Sequence, residues 1–392
     1  MSFSVIFATI LLCGWLAGRF AARLRVPQVL GMLLAGIIIT RIFGSHIPES
    51  LAAIQPFLKN FALIVILLRA GLGINRRILK QTGKVAVLMA AVPCLIEGTA
   101  LYFGFRYLFR FPADVAGMSA FMLAAVSPAV VVPSMLNLKQ LGYGANKQVP
   151  TIVLAGASLD DVFAITMFSI FVRMYSTGSG MDMLQILRIP YSILMGAGVG
   201  VLFGLLLIWL FKRIKQFRAT EKLIVLIGLC LVMIELGEHL HIASFLAAMT
   251  VGYMLFERAY NTAKEMASKL SKLWIFAEII LFVLIGMSLN PAYLLEAGAK
   301  GVLIVLWGLL FRSFGVVLAT IGSGLNRRER LFCVLAYLPK ATVQAALGTI
   351  PLALGVPQGQ LILAIAVMAI AISAPLGLIL INTFGHRLLA KD

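Results

Sequence analysis

Two adjacent aspartates, Asp160 and Asp161, are the only charges in a run that extends from Lys147 to Arg173. Carboxylates are hard oxygen ligands suited to alkali cations, and the same oxygens also take protons. Competition of a proton and a cation for one carboxylate is the physical basis of exchange. Neighbouring residues on a helix point about 100° apart, so the two acids cannot address the same partner. One of them can meet a basic residue while the other faces a cavity. Ser158 and Thr151 can add hydroxyl ligands from the same helix.

Three further charges sit at comparable depth in apolar sequence: Glu97, Arg312 and Lys340. A charge in low dielectric needs compensation, so Glu97 and Arg312 are predicted to form a structural charge pair. Lys340 has two readings. It either neutralises the carbonyl end of a broken helix or pairs with Asp160 and exchanges that bond for a proton or ion. Arg69, Glu235, Glu278, His239 and His241 read as interfacial groups. Cys13, Cys94, Cys230 and Cys333 show no metal-ligand spacing and read as small packing residues.

The elements that must position these charges are transmembrane helices. Hydrophobic residues make up 61% of the 392 and charged residues only 12%, which excludes an ordinary soluble domain. A span needs about 20 mostly apolar residues. Thirteen such stretches are expected, at 3–22, 26–44, 57–75, 84–106, 113–138, 147–173, 188–211, 221–238, 242–257, 270–290, 300–322, 330–355 and 360–384. Of the 33 lysines and arginines, 23 fall after odd-numbered spans or in the C-terminal tail, and seven after even-numbered ones. Cytoplasmic loops collect basic residues, so the N-terminus is expected outside and the C-terminus in the cytoplasm. The net charge of +18 then belongs at anionic headgroups rather than on nucleic acid.

Two halves of opposite topology are a common transporter design, and the chain carries weak internal similarity. Leu30–Gly36 resembles Leu246–Gly252, Gly71–Asn75 resembles Gly286–Asn290, Pro128–Leu136 resembles Pro339–Leu347, and Gly156–Ser158 resembles Ala371–Ser373. The offsets are 216, 215, 211 and 215 residues. One register therefore relates spans 1–6 to spans 8–13, with span 7 as a linker. Pro128 and Pro133 in span 5, and Pro339 with Thr342 in span 12, predict helix breaks at related positions. Irregular backbone at that depth is tolerated only beside protein or a water-filled cavity.

The segments Leu68–Gly73, Ala125–Leu136, Ser158–Asp161 and Leu338–Ala346 resemble the monovalent cation:proton antiporter superfamily. The similarity is to its second branch and, within it, to the NHA-type sodium/proton exchangers. The resemblance implies an all-α membrane protein of thirteen helices in two inverted six-helix repeats with crossed discontinuous helices. It also implies a homodimer working by an elevator movement. Residues 1–75 and 221–290 would form the scaffold, 84–173 and 300–386 the moving core, and 188–211 the linker helix. Asp161 is then expected to ligate the cation, Na+ or Li+, helped by Asp160 and Ser158, and Asp160 to form a proton-linked ion pair with Lys340. Arg312 stands where many relatives carry lysine, and arginine hardly deprotonates.

The expected activity is exchange of Na+ or Li+ for H+ in the plasma membrane, electrogenic because two carboxylates can release two protons for one cation. No cofactor is expected. A K+/H+ antiporter, or a sodium-coupled organic-anion symporter of the same fold, is the alternative. An intramembrane aspartyl protease is disfavoured, since its two aspartates lie on different helices and these are adjacent on one. Because the sequence ends just after span 13, no nucleotide-binding domain is expected to follow.

Overall fold

The computed structural model describes residues 2–24, 26–73, 76–178, 183–214, 216, 218–240 and 244–391, and among these the regular structure is helical throughout. In chain order the helices are α1 (Phe3–Arg23), α2 (Gln28–Phe43), α3 (Glu49–Gly73), α4 (Arg76–Leu108), α5 (Ala113–Leu123), α6 (Pro128–Gln140), α7 (Val149–Thr177) and α8 (Met183–Arg213). They continue as α9 (Ala219–Leu240), α10 (Ser244–Arg258), α11 (Tyr260–Ser288), α12 (Ala292–Ala319), α13 (Arg327–Ala336), α14 (Thr342–Gly348), α15 (Ile350–Ala353) and α16 (Gly359–Leu388). Eight of the thirteen expected stretches contain a helix long and apolar enough to cross a membrane by itself. Among the others, 26–44 and 242–257 hold helices of 16 and 15 residues, and 113–138 and 330–355 are interrupted.

Two stretches are interrupted, beside Pro128 and at Pro339, whereas Pro133, also expected to break its stretch, lies within the continuous helix α6. The stretch 113–138 divides into α5 and α6 around residues 124–127, and 330–355 divides into α13, α14 and α15 around residues 337–341. The prolines act differently in the two breaks. Pro128 opens α6, where its missing N–H costs nothing, whereas Pro339 lies inside the second break and cannot donate to a helix.

The chain divides into two compact units. One comprises Met1–Ala52, Arg77–Ser176 and Phe282–Asp392 and contains both broken stretches. Its core includes a cluster in which Met89, Val126, Met135, Val153, Phe332 and Tyr337 are all buried. A capping box starts α13: the Asn326 side chain accepts from the Glu329 N–H at 2.9 Å, and Glu329 accepts from the Asn326 N–H at 2.7 Å. Lys147, just before α7, reaches the same glutamate at 3.1 Å, which ties the start of the aspartate-bearing helix to the start of α13. The other unit comprises Ala53–Arg76 and Thr177–Leu281, with α10 packed along α8 and against α9.

Each unit contains a close helix approach through a pair of glycines. In the first, a Cβ on Gly36 would overlap the Val283 carbonyl, and one on Gly286 the Leu33 carbonyl. In the second, Gly71 meets Met249 in the same way, and a Cβ on Gly252 would lie 2.9 Å from the Leu68 carbonyl. Gly36 and Gly252 are repeat partners, as are Gly71 and Gly286, so the repeat maps one contact onto the other. Small residues that let backbones touch are the usual membrane packing device.

At the breaks the structure revises the register. Matching prolines gives an offset of 211, but the contact across the crossing joins Ser127 to Thr342, 215 residues apart. The offset of 215 also aligns Pro128, the start of α6, with Val343, one residue into α14. The prolines are similar in sequence and not equivalent in space.

Candidate functional site

At the crossing, the Ser127 N–H donates to the Pro339 carbonyl at 2.8 Å, and the Ser127 and Thr342 hydroxyls lie 3.4 Å apart. The breaks turn helix ends toward this point, where a helix C-terminus presents free carbonyls and an N-terminus free N–H groups. The carbonyl end of α5 is held by three side chains. Lys340 Nζ donates to Leu123 O at 2.6 Å, Arg312 Nη1 to Ala124 O at 2.7 Å, and Gln344 Nε2 to Ala125 O at 2.8 Å. Arg312 Nε donates to Tyr337 O at 2.9 Å at the end of α13. A single guanidinium therefore holds one carbonyl in each break.

The same arginine joins two carboxylates. Arg312 Nη1 lies 2.8 Å from Glu97 Oε2, and Nη2 lies 2.8 Å from Asp160 Oδ1. Lys340 Nζ lies 2.6 Å from Glu97 Oε1. The result is a buried chain of alternating charge, Asp160–Arg312–Glu97–Lys340. Asp160 Oδ2 also accepts from the Val126 N–H at 2.7 Å, ahead of the N-terminus of α6, so both of its oxygens are engaged.

The predicted pair of Glu97 and Arg312 is thus made. Asp160 and Lys340, expected to pair, sit at opposite ends of the chain, and Asp160 takes Arg312 instead. The reason is reach and valence. A guanidinium offers five donors in a fixed fork and can serve two carboxylates and two carbonyls at once, whereas an ammonium is a compact point charge. Of the two readings of Lys340, binding to the carbonyl end of a half-helix is the one present, together with the bond to Glu97.

Asp161 is buried beside this chain but takes no part in it. Its Oδ1 is without a hydrogen-bond partner among the described residues. Three buried carboxylates (Glu97, Asp160 and Asp161) face two buried bases (Arg312 and Lys340). With all five ionised, one negative charge is left over, and it belongs to Asp161. Pro133 lies inside α6 and Pro339 directly at the crossing. The Ser158 side chain lies outside the described part of the structure, as do the side chains of Glu238 and His239, residues Ile74 and Asn75, and His241. Arg69, in the second unit, is half-buried and lies 5.5 Å over the ring of the buried Trp274.

Two residues of the site were not singled out from sequence. Gln344 lies within a quoted motif but carries no charge to mark it. Tyr337 reads as one aromatic among many, yet Arg312 lies 5.3 Å over its ring, and its buried hydroxyl has no partner among the described residues. A signal existed for Gln344: an amide in an otherwise apolar stretch at membrane depth needs a partner.

The profile described as "Sodium/hydrogen exchanger, transmembrane" matches residues 7–384. The human sodium/hydrogen exchanger 9B2 is 31% identical over 382 residues, covering 93% of this chain and 70% of the relative. The human sodium/hydrogen exchanger 9B1 is 30% identical over 387 residues, covering 93% and 73%. Among solved structures, the sodium proton antiporter MjNhaP1 from Methanocaldococcus jannaschii superposes with a TM-score of 0.77 at 23% identity, covering 97% of this chain and 95% of that one. This last likeness is one of fold.

Proposed function

Because the chain belongs to the sodium/hydrogen exchanger family of multi-pass membrane cation/proton antiporters, we propose that it exchanges Na+ or Li+ for H+ with Asp161 as the group the two share. The observation that carries this reading is the unpartnered Oδ1 of Asp161 beside a charge chain that already sums to zero. One leftover negative charge is balanced by one monovalent cation or by one proton, but not by both. A cation that binds releases the proton, and a proton that binds releases the cation.

Electrogenic exchange needs a second proton. Asp160 is held by Arg312, which does not deprotonate, and by the Val126 N–H. The second proton is therefore assigned to Lys340, at the free end of the charge chain and with a chemistry that permits release. Alternating access is proposed as an elevator movement in a homodimer. Residues 84–173 and 300–386 are the moving core, 1–75 and 221–290 the scaffold, and 188–211 the linker. The protein is proposed to sit in the plasma membrane with its N-terminus outside and its C-terminus in the cytoplasm. The bias of basic residues supports this orientation.

The test is cation-induced dequenching of a pH-sensitive dye in proteoliposomes, with Na+, Li+, K+ and an organic anion compared at free and clamped membrane potential. Response to Na+ or Li+ alone is expected. A response to K+ alone, or one that requires the organic anion, would overturn the proposed substrate.

A further inference from the structure

Among the described residues, Gln344 is the uncharged polar side chain that holds several backbone carbonyls of the first break. Its Nε2 donates to Ala125 O at 2.8 Å and lies 3.3 Å from Leu123 O and 3.4 Å from Met122 O. Three acceptors on one side fix which way the amide points, since the opposite orientation would bring oxygen against oxygen. Its Oε1 is left buried without a partner among the described residues. That is an unfavourable arrangement by itself, tolerated here in exchange for the donors. The repeat-related position, 215 residues earlier, holds Ala129. The fold therefore builds the equivalent half-helix without an amide, and the amide belongs to what distinguishes the halves.

The carbonyl that Gln344 holds most closely is half of a peptide group whose other half serves Asp160. Ala125 C=O and Val126 N–H are one planar unit. Gln344 holds its oxygen at 2.8 Å and Asp160 Oδ2 takes its N–H at 2.7 Å. A donor on the carbonyl polarises the peptide and strengthens the N–H at the other end, because linked hydrogen bonds reinforce one another. We propose that Gln344 positions the carboxylate of Asp160 through the Ala125–Val126 peptide, and so keeps Asp160 out of the place where Asp161 takes its cation. With the amide removed, the peptide is free to tilt, Asp160 loses one of its two anchors, and its Oδ2 becomes a competing acceptor beside Asp161. The inference rests on the proposed antiport for its transport and Na+-binding readouts and on the structure alone for its stability readout.

The test compares purified wild type with Gln344→Met, which keeps the length and removes the amide. In proteoliposomes the KM for Na+ should rise about tenfold, the weight of one hydrogen bond, while kcat stays within about threefold. In detergent, the Na+ concentration that half-saturates thermal stabilisation should rise by the same factor. In an Asp160→Asn background, Gln344→Met should add little to either the unfolding midpoint or the Na+ midpoint, because the group it positions is already altered. If Gln344→Met does not purify folded, Gln344→Asn, whose amide stops short of Ala125, replaces it with the same expectations. Unchanged KM and Na+ midpoint, or effects that add fully to those of Asp160→Asn, would overturn the proposal. A wild type without Na+-driven exchange would instead count against the antiport reading, while the stability cycle between Gln344 and Asp160 would still decide the positioning role.

Discussion

Ser127 and Thr342 lie with their hydroxyls 3.4 Å apart and are separated by 215 residues, the separation that also divides Glu97 from its ion-pair partner Arg312. A residue that touches its own repeat partner must lie near the axis relating the two halves. Both pairs therefore mark that axis, and the site is built around it. The groups given chemical roles are where the symmetry fails. By the same register Asp160 and Asp161 correspond to Pro375 and Leu376, Lys340 to Ala125, and Gln344 to Ala129. The repeat supplies the crossing, and substitutions on one side of it supply the charge.

Asp161→Asn keeps the shape and removes the leftover charge. Na+-dependent proton movement in proteoliposomes should vanish, and Na+ should no longer raise the unfolding temperature, while the apo protein stays folded. Exchange at near wild-type rate in this variant would end the assignment of Asp161 as the shared group.

The ion chain predicts an order of stability losses that its composition alone does not. Arg312 is an inner member, so Arg312→Met strands Asp160 and deprives Ala124 O and Tyr337 O of a donor. A loss of about 3–5 kcal/mol is expected, the usual cost of a stranded buried charge. Lys340→Met leaves Glu97 paired with Arg312 and should cost less. Combining Arg312→Met with Asp160→Asn should recover part of the first loss. Thermal or denaturant unfolding in detergent ranks the variants, and a larger loss for Lys340→Met than for Arg312→Met would contradict the chain.

Much of this was legible in the residues. Charge at membrane depth is rare enough that Glu97, Asp160, Asp161, Arg312 and Lys340 stood out, and the need of a buried charge for compensation paired Glu97 with Arg312. Which acid meets which base was not legible. Only the geometry of the two breaks shows that one guanidinium reaches both Glu97 and Asp160, while Lys340 meets Glu97 and not Asp160. The register at the breaks was misplaced because proline is a local signal: it marks an interruption in each half but acts at different places, at the start of a half-helix in one and inside the break in the other. Gln344 was missed because an amide does not register in a search for charge.

Charge movement isolates Lys340. With the second proton assigned to it, the wild-type rate should depend on a clamped membrane potential. Lys340→Gln, which cannot carry a proton, should exchange one for one and lose that dependence. Lys340→Arg, which stays charged, should alter the pH profile of exchange. Equal sensitivity to potential in wild type and Lys340→Gln would remove Lys340 from the proton count.

The paired glycine contacts should respond alike although they lie in different units. Gly36→Val drives a side chain into the Val283 carbonyl, and Gly71→Val one into the Met249 carbonyl. Each should cost about 1–3 kcal/mol by overpacking, read as a lowered unfolding midpoint. Valine tolerated at either position would mean that the close approach there is not required.

At Gly156, α7 packs directly against Tyr337. A Cβ on Gly156 would overlap the Tyr337 hydroxyl and lie 3.0 Å from the Met89 Cβ, so Gly156→Ala should destabilise by about 1–3 kcal/mol. Gly156 lies one turn before Asp160, and Tyr337 lends its carbonyl to Arg312, so the clash also presses on the Asp160–Arg312 pair. Tyr337→Phe removes the obstructing oxygen, which is already without a partner among the described residues, and should by itself be nearly neutral. In the double variant the overlap is relieved, although the methyl still lies 3.0 Å from the Met89 Cβ, and both stability and Na+ affinity should return part of the way toward wild type. Unfolding midpoints of the four proteins of this cycle, each with and without Na+, provide the measurement. If Gly156→Ala is as destabilising in the Tyr337→Phe background as in the wild type, the hydroxyl is not what excludes the methyl, and the contact has no bearing on the ion pair.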